Sequence, residues 1–339
     1  MTHNTKVKPT ELKSDGILVK CGGFSTQLSK HVTGKIYGDP LWGSRFDYEN
    51  PSAVIRTHLD FLESGAQIIL SNTYQSSVDG FMKYLHLSRE ESIALIRSSC
   101  KLAKEARNMY MKNVKECKGI SEPVLVLGSV GPYGATLHNG SEYDGSYATK
   151  MTRHEIQNFH RPRIDALVAE GVDGLAVETI PCLMEAEAIT EMLLRQYPEV
   201  KFWVSFQCKD DLHLANGETF ANAALSIWNM VKKNNKYNPK EKIFGIGVNC
   251  VNPKFVANLF KSLHRNETDL PPLVVYSNRG EIFDSKKGWT GAENCIPIEA
   301  FVPEWIGLGA SIIGGCCRVY PEDISRIRKC VNSYTSETN

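Results

Sequence analysis

ASIIGGCC, residues 310–317, is a short apolar run without polar alternation, stopped by two glycines and two adjacent cysteines. A strand that is apolar at consecutive positions is buried on both faces, the situation of a parallel strand with helices packed outside it. Seven runs of the same kind precede it: ILVKCGG (17–23), AQIILSNTY (66–74), PVLVLGSVG (123–131), VDGLAVETI (172–180), KFWVSFQC (201–208), KIFGIGVNC (242–250) and PLVVYSN (272–278). The helical patterns between them have marked ends. Ser88 with Glu91, and Thr152 with Glu155, each fit a capping box, in which the hydroxyl accepts an N–H and the glutamate reaches back to the cap. Gly171 suits a left-handed stop after RIDALVAE (163–170), Pro162 predicts a kink within that helix, and Pro321 suits the first position of the last one.

Eight strands, each followed by a helix, predict an α/β fold, a single (β/α)₈ TIM barrel over residues 14–332 with flexible tails at 1–13 and 333–339. An open doubly wound sheet is the competing arrangement, but GIGVNC (245–250) supplies only the beginning of a dinucleotide-binding turn and lacks its third glycine. The polar, glycine-rich stretch 137–152 follows a strand and reads as a long βα loop.

With 339 residues, 42% of them hydrophobic, the chain can bury a large core. Lys plus Arg number 39 against 38 for Asp plus Glu, so no net field draws it toward nucleic acid or an anionic membrane. No run approaches the roughly 18 apolar residues of a membrane helix, and the polar start MTHNTKVKPTELKSDG carries no apolar signal core. The expected location is cytoplasmic, the expected partners are small molecules, and the ten cysteines are expected to be reduced.

In a barrel, groups that converge on a ligand gather at the C-terminal ends of the strands. Cys250 ends the sixth run and Cys316 with Cys317 ends the eighth, so three thiols can meet at one mouth. Neighbours on a regular strand point to opposite faces, and Gly314 and Gly315 are expected to turn the strand end so that both sulfurs aim inward. Three thiolates and one open position describe a catalytic zinc site. Small buried core residues, or a vicinal disulfide, are the competing readings, and the cysteines at 100, 117, 182, 208, 295 and 330 read as packing. Glu178 can face the mouth and hold an ammonium group, or be an ordinary surface carboxylate. Trp42 can lay its ring against a sulfonium cation, or pack in the core.

The chain resembles the homocysteine S-methyltransferase family, specifically its short members that use S-methylmethionine or S-adenosylmethionine as donor. The matching segments run in order: GGFSTQL (22–28), DPLWGSR (39–45), GSVGPYGATLHNGSEYDGSY (128–147), HRPRIDAL (160–167), ETIPCLMEAEA (178–188), GVNCVNP (247–253) and GGCCR (314–318). This resemblance implies a barrel with one Zn²⁺ held by Cys250, Cys316 and Cys317. It also implies Glu178 on the amino group of homocysteine, backbone amides near Gly22 and Gly23 on its carboxylate, and Trp42 near the donor. The implied reaction moves a methyl group from a sulfonium to the zinc-bound homocysteine thiolate, forming methionine, with no further catalytic side chain. A selenol acceptor, or a zinc- and thiol-binding relative with little turnover, are the alternatives. Two departures stand out: Cys21 replaces the aspartate that usually precedes the glycine pair, and YSNRGE (276–281) carries Ser277 and Arg279 where the family has proline and serine.

Overall fold

The computed structural model describes residues 16–118, 123–234, 238–264, 269–284 and 288–338. All eight expected strands form: β1 (Leu18–Val19), β2 (Ile68–Leu70), β3 (Leu125–Val130), β4 (Gly174–Ile180), β5 (Phe202–Phe206), β6 (Ile243–Asn249), β7 (Leu273–Ser277) and, after a hairpin of β8 (Ile282–Asp284) and β9 (Gly288–Thr290), β10 (Ala310–Gly315). The eight pair in parallel in the order β1-β10-β7-β6-β5-β4-β3-β2. A bridge between Lys20 and Ile68, with Cys21 N–H donating to Ile68 O at 2.9 Å, joins the first strand to the second and closes the circle. The fold is a TIM barrel, as the sequence predicts. Strand β1 is shorter than the run 17–23 because the chain leaves the sheet at Gly22 and enters the helix Phe24–Leu28.

Every residue of β2 to β7 is buried, which is the physical meaning of their unbroken apolar runs. Strands β6 and β7 approach so closely that a Cβ on Gly247 would stand 1.7 Å from the Val274 carbonyl oxygen. Outside lie the helices Pro51–Glu63, Arg89–Lys118, Arg153–Ala169, Leu183–Gln196, Phe220–Lys233, Pro253–Leu263, Val302–Gly307 and Pro321–Thr338. Both capping boxes form: Glu91 N–H donates to Ser88 Oγ (3.2 Å) while Ser88 N–H donates to Glu91, and Thr152 with Glu155 repeats the exchange. Gly171 has φ +73°, as a left-handed stop requires. Pro162 lies inside the helix Arg153–Ala169 without ending it.

The last helix continues to Thr338, six residues beyond the expected boundary at 332. The hairpin β8–β9 has no counterpart among the apolar runs, being antiparallel and outside the barrel. The tail expected over 1–13 lies outside the described residues. Among those described, no helix is long and apolar enough to cross a membrane.

Candidate active site

Strand β6 ends on Asn249, and Cys250 follows with φ +53°, a left-handed turn that a non-glycine residue adopts only when its surroundings hold it there. The holders are visible. Cys250 N–H donates to Tyr276 O on β7 (3.2 Å), and Asn278 Nδ2 donates to Cys250 O (3.2 Å). Inside the barrel, Asn249 Oδ1 accepts from Thr179 N–H (2.7 Å) and Ser205 Oγ (2.8 Å), and Asn249 Nδ2 donates to Thr179 Oγ1 (2.7 Å). Thr179 is itself left-handed at φ +60°, so one buried amide fixes the ends of both the strand carrying Glu178 and the strand carrying Cys250.

Strand β10 ends at Gly315, and Cys316 and Cys317 stand in the turn beyond it, closed by Val319 N–H on Cys316 O (3.1 Å) with Arg318 at φ +67°. The glycines therefore act differently from expectation. Neither Gly314 nor Gly315 has a positive φ; each is small because the neighbouring chain needs the room. A Cβ at Gly314 would lie 2.6 Å from Lys20 O, and one at Gly315 would lie 2.1 Å from Val319 Cγ1. The sulfurs escape strand alternation because the chain has already left the strand.

The three thiols meet. Cys250 Sγ lies 2.6 Å from Cys316 Sγ and 3.6 Å from Cys317 Sγ. Among the described residues they form the group of His, Cys, Asp or Glu side chains whose ligating atoms all fall within 4.8 Å of one another, and Cys21 is not in it. Hydrogen bonding from Cys250 and Cys317 holds the Cys316 thiol well below the ordinary range, while the same bond pushes Cys250 well above it. A tetrahedral zinc with Zn–S near 2.3 Å separates its sulfurs by about 3.8 Å. The Cys250–Cys317 spacing already fits, and the Cys250–Cys316 pair has to open by about 1 Å. The soft, all-sulfur donor set suits zinc.

These sulfurs line a cavity at the C-terminal mouth together with every other residue expected there: Glu178, Gly22, Gly23 and Trp42. Glu178 is only 6% exposed, and Ser129 Oγ donates to its carboxylate. Burial raises its pKa, and the positive charge of Lys20 works against that rise. Gly22 and Gly23 pack under the cysteine turn, where a Cβ on Gly23 would stand 2.4 Å from Cys316 O. The Gly23 N–H, however, already donates to Val319 O at 2.9 Å. Trp42 begins the 3₁₀ turn Trp42–Arg45 at φ +51°, its ring edge-on to Tyr37 with centroids 4.9 Å apart.

Among the lining residues that sequence reasoning passed over, three carry chemistry of their own: Lys20, Tyr74 and Glu142. Lys20 is a buried ammonium whose Nζ donates to Gly315 O (3.0 Å) and lies 4.5 Å from the centre of the Tyr276 ring; a lysine inside the apolar run ILVKCGG was its signal. Tyr74 and Glu142 come from the loops after β2 and β3; Glu142 lies within the matching segment 128–147, but neither residue was singled out. Of the two family departures, Cys21 lines the cavity and Arg279 does not. Arg279 N–H donates to Cys317 O (3.2 Å), and the carbonyl of Ser277 accepts from Cys316 N–H (2.8 Å), so that segment braces the cysteine turn from behind.

The family model for homocysteine S-methyltransferase matches residues 18–331. The chain belongs to the homocysteine S-methyltransferase family. It is 57% identical over 318 residues to betaine-homocysteine S-methyltransferase of Drosophila melanogaster, covering 93% of this chain and 94% of that one. Homocysteine S-methyltransferase 1 of Arabidopsis thaliana is 37% identical over 322 residues, with 94% of each chain covered. The metallated form of the Escherichia coli homocysteine methyltransferase MmuM superposes with a TM-score of 0.78 at 33% identity, covering 95% of this chain and 98% of that one. As a homocysteine S-methyltransferase the chain is an enzyme, and its activity is methyl transfer to homocysteine.

Proposed function

We propose that this homocysteine S-methyltransferase is zinc-dependent, with the metal held by Cys250, Cys316 and Cys317, and that its donor is a sulfonium such as S-methylmethionine or S-adenosylmethionine. The observation that carries the reading is the convergence of three sulfurs in the same cavity as a buried carboxylate, Glu178. Zinc bound there would supply a Lewis acid that lowers the pKa of a coordinated thiol and keeps it a thiolate at neutral pH.

The chain's own residues then account for the rest. Glu178 pairs with the acceptor's ammonium group, and its contact with Ser129 Oγ fixes the carboxylate's direction. With the Gly23 N–H committed to Val319, the acceptor's carboxylate draws on Gly22 and on the amides at the start of the helix Phe24–Leu28. Trp42, Tyr37 and Tyr74 line the same cavity and offer aromatic faces to the cationic donor. An S–C bond forms between the acceptor sulfur and the methyl carbon as the donor's S–CH₃ bond breaks, its electron pair staying on the donor sulfur and the thiol proton leaving to solvent. Opposite charges are lost together, so a mouth that sheds water favours the step, and alignment within two adjoining subsites supplies most of the remaining acceleration.

The name of the fly relative favours betaine as a second donor reading. Purified enzyme with homocysteine and, in turn, S-methylmethionine, S-adenosylmethionine and betaine tests both. Methionine formed faster from a sulfonium than from betaine supports the proposal, and the reverse order replaces it.

A further inference from the structure

Glu142 is a carboxylate with no task in the scheme above. It stands in the 3₁₀ turn Ser141–Tyr143 of the loop after β3, folded over the cavity mouth and tied by Tyr143 N–H on Gly140 O (2.8 Å) and Gly145 N–H on Ser141 O (2.8 Å). The residue lines the same cavity as Cys250 and Glu178, yet its Oε2 is enclosed and has no hydrogen-bond partner among the described residues. An enclosed carboxylate oxygen without a donor is costly, and a cationic ligand relieves the cost.

It comes from a different element than the carboxylate assigned to the acceptor. Glu178 is carried on β4 and lies beside Lys20 and the thiols, whereas Glu142 stands in the loop after β3 next to Tyr143, which is 48% exposed; Tyr74 lies within the electrostatic reach of both carboxylates. A sulfonium centre itself has no N–H to give, and aromatic faces suffice for it. A sulfonium built on an amino acid carries an ammonium group a few bonds away, with three donors. Betaine carries no N–H at all, and its carboxylate would be repelled by that of Glu142.

We propose that Glu142 selects the methyl donor, accepting hydrogen bonds from the α-ammonium group of a sulfonium amino acid and disfavouring donors that bring only a carboxylate. This rests on the assignment of the cavity to sulfonium-dependent transfer. The test compares two sulfonium probes, S-methylmethionine and dimethylsulfoniopropionate, the second having a carboxylate but no ammonium group, on the wild type, Glu142→Gln and Glu142→Asp. Removing one charge-assisted hydrogen bond weakens a ligand by about ten- to a hundredfold. Glu142→Gln is expected to lose that factor in kcat/KM for S-methylmethionine only, leaving dimethylsulfoniopropionate and betaine unchanged or improved, while Glu142→Asp keeps part of the preference. Equal losses on all donors, or no loss on any, overturn the assignment. Calorimetric binding of the two sulfonium probes to the same three proteins separates the layers. Selective weakening in Glu142→Gln without turnover in the wild type would sink the transfer reading and leave the ammonium subsite standing, whereas turnover with unselective binding would sink Glu142.

Discussion

Glu178 and Cys21 face the same cavity, one a carboxylate and the other a thiol at the position where the family resemblance leads us to expect a second carboxylate. A thiol is a weak acceptor, so on the proposed reading the acceptor's ammonium group depends on Glu178 as its charged partner. Glu178→Gln keeps the shape and can keep the contact with Ser129, but gives up the charge. Homocysteine KM is expected to rise about ten- to a hundredfold, with zinc content unchanged, because a charged hydrogen bond contributes about 1.5–3 kcal/mol. An unchanged KM in steady-state assays removes Glu178 from the acceptor's subsite. At this scale the sequence was informative where residue type and strand end coincided, as for Cys250, Cys316 and Glu178. It marked Glu142 only as part of the matching segment 128–147, because the significance of that residue comes from a missing partner that the fold reveals.

Among the elements, the turn after β10 carries the most chemistry for its length. Its two cysteines are placed by backbone packing: Gly315 lies against Val319, Gly23 against Cys316, and the β7 end against both cysteines through Ser277 and Arg279. Gly315→Ala puts a Cβ 2.1 Å from Val319 Cγ1, a contact no side chain tolerates, so the turn has to shift. We expect a loss of about 1–3 kcal/mol in stability and a zinc affinity reduced out of proportion to it, since displacement of two ligands disrupts the tetrahedral set. Urea melts alongside metal titration check this; normal zinc affinity in Gly315→Ala would show that the packing is not what places the sulfurs. The two glycines were legible as something special, but the reason read from sequence, conformational freedom, is not the one the structure gives. Sequence shows a missing side chain without showing what fills its place.

A second element-level device holds the loops over the mouth. Arg163 donates to the carbonyls of Tyr74 (2.8 Å) and Gly131 (2.6 Å) and to His160 Nδ1 (2.8 Å). Since arginine can only donate, the proton of His160 is on Nε2, which donates to Glu185 Oε1 at 2.8 Å. Glu185 also accepts from Tyr133 N–H (2.7 Å) and from the Tyr147 hydroxyl. The motif HRPRIDAL is thus a buried clamp joining the loops that supply Tyr74 and Glu142 to the helix behind them.

For the molecule as a whole, eight unbroken apolar runs sufficed to name a barrel, because burial on both faces leaves a strand little other choice of neighbours. What they could not show was the closing contact. Lys20 and Ile68 join by a single bridge, and the shortness of β1 follows from the turn into the glycine pair that the site requires. The hairpin β8–β9 escaped notice for a related reason: it pairs outside the eight-stranded sheet, and its sequence holds no long apolar run to announce it. The three cysteines proposed to hold zinc stand beyond the ends of β6 and β10, above strands that are almost wholly buried, so the fold is expected to survive removal of the metal. Circular dichroism after chelation should keep its helical signal while activity is lost. A cooperative collapse of that signal would mean that the metal is structural.

The measurement that reaches the central claim most directly is metal content paired with turnover, by plasma mass spectrometry and methionine formation, on the wild type and on Cys250→Ala, Cys316→Ala and Cys317→Ala. The account predicts about one zinc per wild-type chain, and in each variant a joint loss of zinc and of methyl transfer, because three thiolates are the least that holds the metal with a position left for the substrate. A Cys316→Ala protein that is free of zinc, or full of it, and still forms methionine at the wild-type rate would contradict it.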